Sequence, residues 1–364
     1  MLGSVAAYTR PDQVVLVENY ASAFARVVWA GDSAIPLPEP VIAQVRDTAE
    51  QIAASLDFYR LGYEPSTFSW SIAQATVASH KLKPFETKRI ANFFRAEADP
   101  SCGCWREIPG HTHPRHVAAS GWIIFALAEI SEPATSAEIS FFTGEQQIGS
   151  EGGWWSVFPV ESEDSQHAST YATAWAVLAL HKQRSTKGLS TGDDLAARLA
   201  IDKGAGWLIN RREPRARWKD YPKSTSGKTS ESISGFVVHV LHQVWPHNLR
   251  EIDRAWLDNL PTPPPAVGDA DHGYRWITGK DGNHLESIVQ IRLPWMLIAT
   301  VDAYPSGGIW QRVRALLWME QALQQESITA ETQERNWWRA ELLYALRYVL
   351  EASSKSKKRN GAKV

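Results

Sequence analysis

From Ala168 to Leu180 the chain reads Ala-Ser-Thr-Tyr-Ala-Thr-Ala-Trp-Ala-Val-Leu-Ala-Leu, small or apolar on every side beyond the first turns. A helix apolar all round cannot lie on a surface; other elements must enclose it. Residues 167–170 open it with groups that can accept from free helical N–H donors. His181-Lys182-Gln183-Arg184 closes it with cations suited to the helix dipole. The same kind of helix recurs along the chain, each time after a helix with an apolar stripe. The pattern predicts six such pairs: 40–61 with 66–82, 85–97 with 116–130, 135–147 with 167–183, 193–211 with 230–245, 248–259 with 284–303, and 308–325 with 335–352. Apolar–polar alternation, the mark of a half-buried strand, is nearly missing.

The later apolar helices begin near residues 116, 167, 230, 284 and 335, a spacing of 51 to 63 residues that points to a helical array. The asymmetry within each pair suggests two concentric layers. Inner helices touch neighbours and the centre, whereas outer helices show one face to water. The expected fold is an all-α (α/α)6 toroid, with an open solenoid as the competing arrangement. A short helical lead, residues 1–39 with a helix at 11–29, precedes the toroid domain at 40–352; residues 353–364 form a basic, disordered tail. Four outer-to-inner links run about 17 to 24 residues, long enough to suggest function rather than mere connection. All of them must lie at the end where the inner helices start.

Those links share a turn followed by tryptophan: Cys102-Gly-Cys-Trp105, Gly152-Gly-Trp-Trp155, Arg215-Ala-Arg-Trp218 and Gly273-Tyr-Arg-Trp276. Together with the Ser/Thr-Ala-rich helix that follows, the pattern resembles the repeat of the terpenoid cyclase and protein prenyltransferase family, including squalene–hopene cyclase-type repeats. The resemblance covers residues 40–350 and implies the toroid fold. It does not carry over the family's chemistry. Asp269-Ala-Asp271-His272 stands where an Asp-x-Asp-Asp acid motif would be sought, but in the loop and with His last. No cysteine stands at an inner-helix start to bind zinc, no Asp-Asp-x-x-Asp is present, and Gly144-Glu-Gln146 lacks the cysteine of a thioester site.

Converging inner-helix N-termini offer free N–H donors and partial positive charge, a setting for an anionic group. His116, Ser120, His167, Ser169, Thr170, Ser230, Glu231, Ser232, His284, Glu286 and Ser287 stand there. Capping is the plain alternative for the Ser, Thr and Glu residues, and wedge-filling for the tryptophans. Read as a site, the mouth would bind an apolar or amphipathic molecule, anionic-headed if charged, or a segment of a partner protein. The residues expected to hold it are Trp105, Trp154, Trp155, Trp175, Trp218, Tyr274, Arg275, Trp276, Lys219, Lys228 and Gln290. The competing reading is a cyclase-like or prenyltransferase-like enzyme with displaced acids, for which Glu231, Glu286, His167, His284, Asp269 and Asp271 are the acid–base candidates. Glu286 and Gln290 would share one helical face, with Pro294 kinking the helix beside them.

Composition changes this picture little. With 38 basic and 40 acidic residues among 364, no whole-chain field points to nucleic acid or an anionic membrane. No apolar run reaches the ~18 residues of a membrane span, and two cysteines one residue apart fit a reducing compartment, so a cytoplasmic protein is expected. No cofactor is expected. Zinc is the one metal candidate, because Cys102, Cys104, His111 and His113, with His116 close by, supply enough ligands within 15 residues. Against it, Cys-x-Cys is a tight bite, and Pro109 and Pro114 restrict closure of the loop.

Overall fold

The structure is a computed structural model in which residues 69–80, 87–106, 115–159, 167–214, 217–220, 229–245, 270–279, 282–303, 340–349 and 351 are described. In chain order the elements are α1 (Ser69–Ser79), α2 (Thr87–Glu97), α3 (Val117–Glu129), α4 (Ser136–Glu145), β1 (Gln147–Gly149), β2 (Gly152–Trp154), α5 (Thr170–Arg184), α6 (Thr191–Asn210), β3 (Trp218–Lys219), β4 (Thr229–Ser230), α7 (Glu231–Val244), β5 (Ala270–Gly279), β6 (Gly282–Ile291) and α8 (Arg292–Ala303). A last helical stretch covers 340–349.

The two expected classes of helix are both present. In α6 the buried residues Ala197, Ala200, Ile201, Gly204, Ala205, Trp207 and Leu208 recur every three or four positions, so one stripe faces inward. In α3 every residue from Val117 to Leu127 is buried, and α5 is buried on nearly all sides. The all-round apolar helices are neighbours in sequence order: α1 beside α3, α3 beside α5, α5 beside α7, α7 beside α8. Residues 340–349 complete the circuit. Gln74 Nε2 of α1 donates to Glu341 Oε1 at 3.2 Å, and Arg347 donates to the Val77 carbonyl. On the other side Tyr344 meets Trp295 of α8 at 6.1 Å, and the Tyr348 hydroxyl donates to Asp302. Six inner helices thus close a ring, with α2, α4 and α6 outside it. The molecule is an (α/α)6 toroid, not an open solenoid. The segments expected to supply the other outer helices, 40–61, 248–259 and 308–325, lie outside the described residues, as do the lead at 1–39 and the tail at 353–364.

One tryptophan per repeat fastens each described pair of layers. Trp105, Trp155 and Trp218 are all buried. Each indole N–H donates at 2.7 Å to a carbonyl of the outer helix or its end, namely Phe94, Phe142 and Leu208. Each backbone N–H donates to a hydroxyl on the inner helix: Ser120 at 2.9 Å, Thr173 at 3.0 Å and Ser234 at 3.0 Å. The inner helices repeat a local code that makes this work. An N-cap (His116, Ser169, Ser230) is followed four residues on by that hydroxyl, five on by a small residue (Gly121, Ala174, Gly235) and six on by an aromatic (Trp122, Trp175, Phe236). The small residue allows close approach of the next helix. A Cβ on Gly235 would sit 2.8 Å from the Trp295 backbone.

The aromatics fill the ring's centre. Trp122 stacks on Trp175 at 3.9 Å, Trp175 meets Phe236 at 4.5 Å, and Phe236 meets Trp295 at 4.6 Å. These buried rings occupy the axis at that level.

One expected element is corrected. Residues 284–291 do not begin an inner helix; they form β6, paired antiparallel to β5 from Ala270↔Ile291 to Gly279↔Gly282. Ile288, Val289 and Ile291 are β-branched, which favours a pleated strand over a helix. Gln290 is registered opposite Asp271, and Glu286 opposite Arg275. Pro294 is the third residue of α8, where a backbone N–H would have no intrahelical acceptor, so it costs no helical bond and needs no kink.

Candidate active site

At the N-terminal end of the inner ring, two buried carboxyl groups gather around one tyrosine. Asp220 directly follows β3 and caps α5 from outside: its Oδ1 accepts from Ser169 Oγ at 2.9 Å and from the Tyr171 backbone N–H at 3.2 Å. Its carbonyl takes the Thr170 N–H at 2.7 Å. Burial pushes the Asp220 carboxyl up to about 6, although the Tyr171 N–H and the Ser169 hydroxyl hold it down in part. Glu341, in the last inner helical stretch, is also buried and is held by Gln74. Burial pushes its carboxyl up to about 8, against an opposing pull from the Trp295 side chain. Both carboxyls act on the Tyr171 phenol. Its ionisation is suppressed first by burial and then by Glu341, with a further contribution from Asp220; the indoles of Trp122 and Trp175 act in the opposite sense.

At neutral pH the two carboxyls therefore differ in state: Asp220 is mainly ionised, and Glu341 is mainly protonated. A pair split this way can take a proton with one group and give one with the other.

A second buried polar network sits at the opposite end, among inner-helix C-termini. His239 Nδ1 lies 2.8 Å from Asp302, Gln243 donates to Tyr348 at 3.0 Å, and Arg347 donates to Glu129 at 2.9 Å. Its members join α1, α3, α7, α8 and the last helix. It closes the ring and is remote from the Asp220–Tyr171 end.

The residues singled out from sequence are placed as follows. Trp105, Trp155 and Trp218 are the staples, and Trp154 is buried in β2. Trp175 belongs to the central stack. Lys219 pairs with Glu213 at 3.5 Å. Glu231 is the first residue of α7, and His167 precedes the N-cap of α5. Asp271, Tyr274, Arg275 and Trp276 are on β5, and His284, Glu286 and Gln290 on β6, in a hairpin that contacts β4 and α7. Asp269, Lys228, His111 and His113 lie outside the described residues. Cys102 and Cys104 are joined to each other, and their sulfurs lie with an Asp99 carboxylate oxygen within 4.8 Å of one another. Sequence reasoning missed Asp220, Glu341 and Gln74. Asp220 follows Trp218-Lys219 with no motif around it, and Glu341 sits in an apolar helix where only its rarity in a core marked it.

The architecture and the carboxyl pair define an (α/α)6 toroid with a candidate acid–base centre at one end of its axis. Among solved structures, the chain is similar to a glycoside hydrolase family 76 mannosidase from Bacteroides thetaiotaomicron, with TM-score 0.52 and 11% identity over 86% of this chain and 99% of that one. No family model and no curated protein matches the sequence. At that identity the likeness shows the fold alone. It corrects the resemblance to terpenoid cyclases and prenyltransferases: the outer-helix, Trp-turn, inner-helix repeat forms a toroid similar in fold to that of a glycoside hydrolase. The apolar-ligand and prenyl-substrate readings fall with it. Physically, Trp105, Trp155 and Trp218, which suggested a greasy mouth, are staples with their N–H groups used, Trp154 is buried in β2, and Trp175 is part of the packed stack. No helix among the described residues is long and apolar enough to cross a membrane.

Proposed function

We propose that this chain is a glycoside hydrolase-like enzyme, with Glu341 as the general acid and Asp220 as the general base. The observation that carries the reading is the split pair of buried carboxyls around Tyr171, in a toroid similar to that of a mannosidase. Glycoside hydrolysis needs two carboxyl groups in different protonation states on either side of the scissile bond. Glu341 gives its proton to the glycosidic oxygen as the bond to the anomeric carbon breaks. Asp220 takes a proton from the water that attacks that carbon. The products are a free sugar hemiacetal and a neutral alcohol that carries the proton from Glu341; Glu341 ends ionised and Asp220 protonated, a net exchange that solvent reverses. The β5–β6 hairpin contacts β4 and α7 close to this end.

Incubation with α-mannosides, α-glucosides and β-glucosides, followed by measurement of new reducing ends, tests the proposal. Release of sugar by the wild type, reduced 10²–10⁴-fold in Glu341→Gln, is the expected result. Full activity in that variant, or no release from any glycoside, refutes it.

Zinc at Asp99, Cys102 and Cys104 is a separate proposal, supported by their proximity. It requires reduction of the Cys102–Cys104 link, and metal analysis of reduced protein after exposure to zinc tests it.

A further inference from the structure

Away from the carboxyl pair, the turn that leads into Trp105 carries a covalent bond that its shape does not need. Cys102 and Cys104 are joined across a single glycine. The turn is already fixed by its backbone. The Asp99 carbonyl accepts from the Cys102 N–H at 3.2 Å and from the Gly103 N–H at 2.8 Å, and the Asp99 N–H donates to the Cys104 carbonyl at 2.8 Å. Gly103 holds φ at 66°, and a Cβ there would sit 2.9 Å from the Ala137 backbone, so the turn is seated against the start of α4. Beyond it, Trp105 is fastened by its own bonds to Ser120 and to the Phe94 carbonyl. A crosslink stabilises chiefly by restricting the unfolded chain, and it does so more as the closed loop lengthens. This one closes a loop with one residue inside it, so it restricts little. As a brace the bond is redundant.

The two sulfurs differ in access. Cys102 is half-buried, whereas Cys104 is wholly buried at 0% exposed. Exchange begins when a thiolate reaches one sulfur of a disulfide, and access decides which sulfur is attacked. We propose that Cys102–Cys104 is a thiol–disulfide exchange site that takes a low-molecular-weight thiol at Cys102. The incoming thiolate attacks Cys102 Sγ. A bond forms between those two sulfurs, the Cys102–Cys104 bond breaks, and its electron pair leaves on Cys104 Sγ. That sulfur, buried and within 4.8 Å of an Asp99 carboxylate oxygen, takes a proton from water. A second thiolate then attacks the sulfur of the bound small molecule and releases Cys102, which is protonated in turn. Two small thiols have become one small disulfide, and the protein has gained two electrons and two protons. Neither step involves Asp220 or Glu341, so the proposal stands apart from the glycoside reading. It also supplies the dithiol that zinc binding at this turn requires.

Glutathione is the probe, applied at neutral pH to the folded full chain. The wild type is exposed to an excess of the reduced form, free thiols are capped by alkylation, and the peptide carrying the turn is read by mass spectrometry. Melting temperature is recorded before and after. In a second arm, Cys102→Ala and Cys104→Ala, each with one thiol left, are exposed to the oxidised form. The expected result is opening of the link in the folded protein, with melting shifted by no more than about 3 °C. The adduct should form about tenfold faster at Cys102 than at Cys104. A link that opens only after unfolding in guanidinium overturns the proposal, as does an adduct that forms as fast at Cys104. A fall in melting well beyond that shift would make the bond a structural brace and overturn it too. The reduction arm needs no substitution, so a variant that fails to fold leaves the test in force.

Discussion

Asp220 and Glu341 depart from their ordinary ranges for the same reason, burial, but to different extents, and the difference sets a pH window. Activity needs Asp220 ionised and Glu341 protonated, so the rate should rise through about pH 6 and fall through about pH 8. A rate profile flat from pH 5 to 9 would exclude both assignments. The same burial predicts a stability effect of defined sign. Both carboxyls have folded values above their unfolded ones, so their contribution is fully present below the unfolded range and is lost as pH rises toward the folded value. For Glu341 the window runs from 4.5 to about 8. Glu341→Gln should therefore match the wild type in melting temperature near pH 4, and melt higher at pH 8 while losing activity. Thermal melts at the two pH values check this; equal melting at pH 8 would mean that Glu341 ionises freely in the folded protein. Neither carboxyl was legible in the sequence. Nothing local distinguishes Asp220 from any loop aspartate, since the residues that bury it come from α5, some 50 positions earlier.

The elements were far more legible, because helix periodicity and capping are local. The cap, hydroxyl, small residue and aromatic at fixed spacing in α3, α5 and α7 can be read directly: His116-Val-Ala-Ala-Ser-Gly-Trp122, Ser169-Thr-Tyr-Ala-Thr-Ala-Trp175 and Ser230-Glu-Ser-Ile-Ser-Gly-Phe236. What local pattern could not show is that the hydroxyl serves the preceding tryptophan's backbone rather than a ligand. The β5–β6 hairpin was misread for a related reason. Leu285, Ile288, Val289 and Ile291 satisfy a helical stripe almost as well as a strand, and only β-branching and the Asp281-Gly282 turn signal argued otherwise. The staple makes its own prediction. Thr173→Val keeps the side chain's shape but leaves the buried Trp155 N–H without its acceptor, at a cost of about 1–3 kcal/mol. Chemical denaturation should show that loss, and a neutral result would mean that the staple is ornamental. Gly235→Ala should also destabilise, because the added Cβ meets the α8 backbone, which cannot yield as a side-chain tip can.

At the scale of the whole molecule, closure distinguishes a toroid from a stack of repeats. In an open array each repeat touches only its neighbours, so removing the last one costs little beyond its own interface. Here 340–349 touches both α8 and α1, and the bond from Gln74 to Glu341 spans 267 positions. Arg347 joins the same seam: it donates to the Val77 carbonyl and pairs with Glu129 at 2.9 Å, both largely removed from solvent. A chain ended after Glu334 would lose every one of these contacts at once. Gln74 would lose its acceptor, and Glu129 would keep its charge in a setting built around a cation, a situation that costs about 3–5 kcal/mol for a buried pair. The central stack would lose Tyr344, which meets Phe125 at 5.9 Å across the axis from α3. The truncated chain should therefore lose cooperative unfolding altogether, with amide protection falling in α3 and α5, far from the cut in sequence. Hydrogen exchange on the full and truncated chains reads this directly. Protection in α3, α5 and α7 that survives the truncation would show that the repeats are energetically independent, and that closure of the ring contributes little to holding the carboxyl end together.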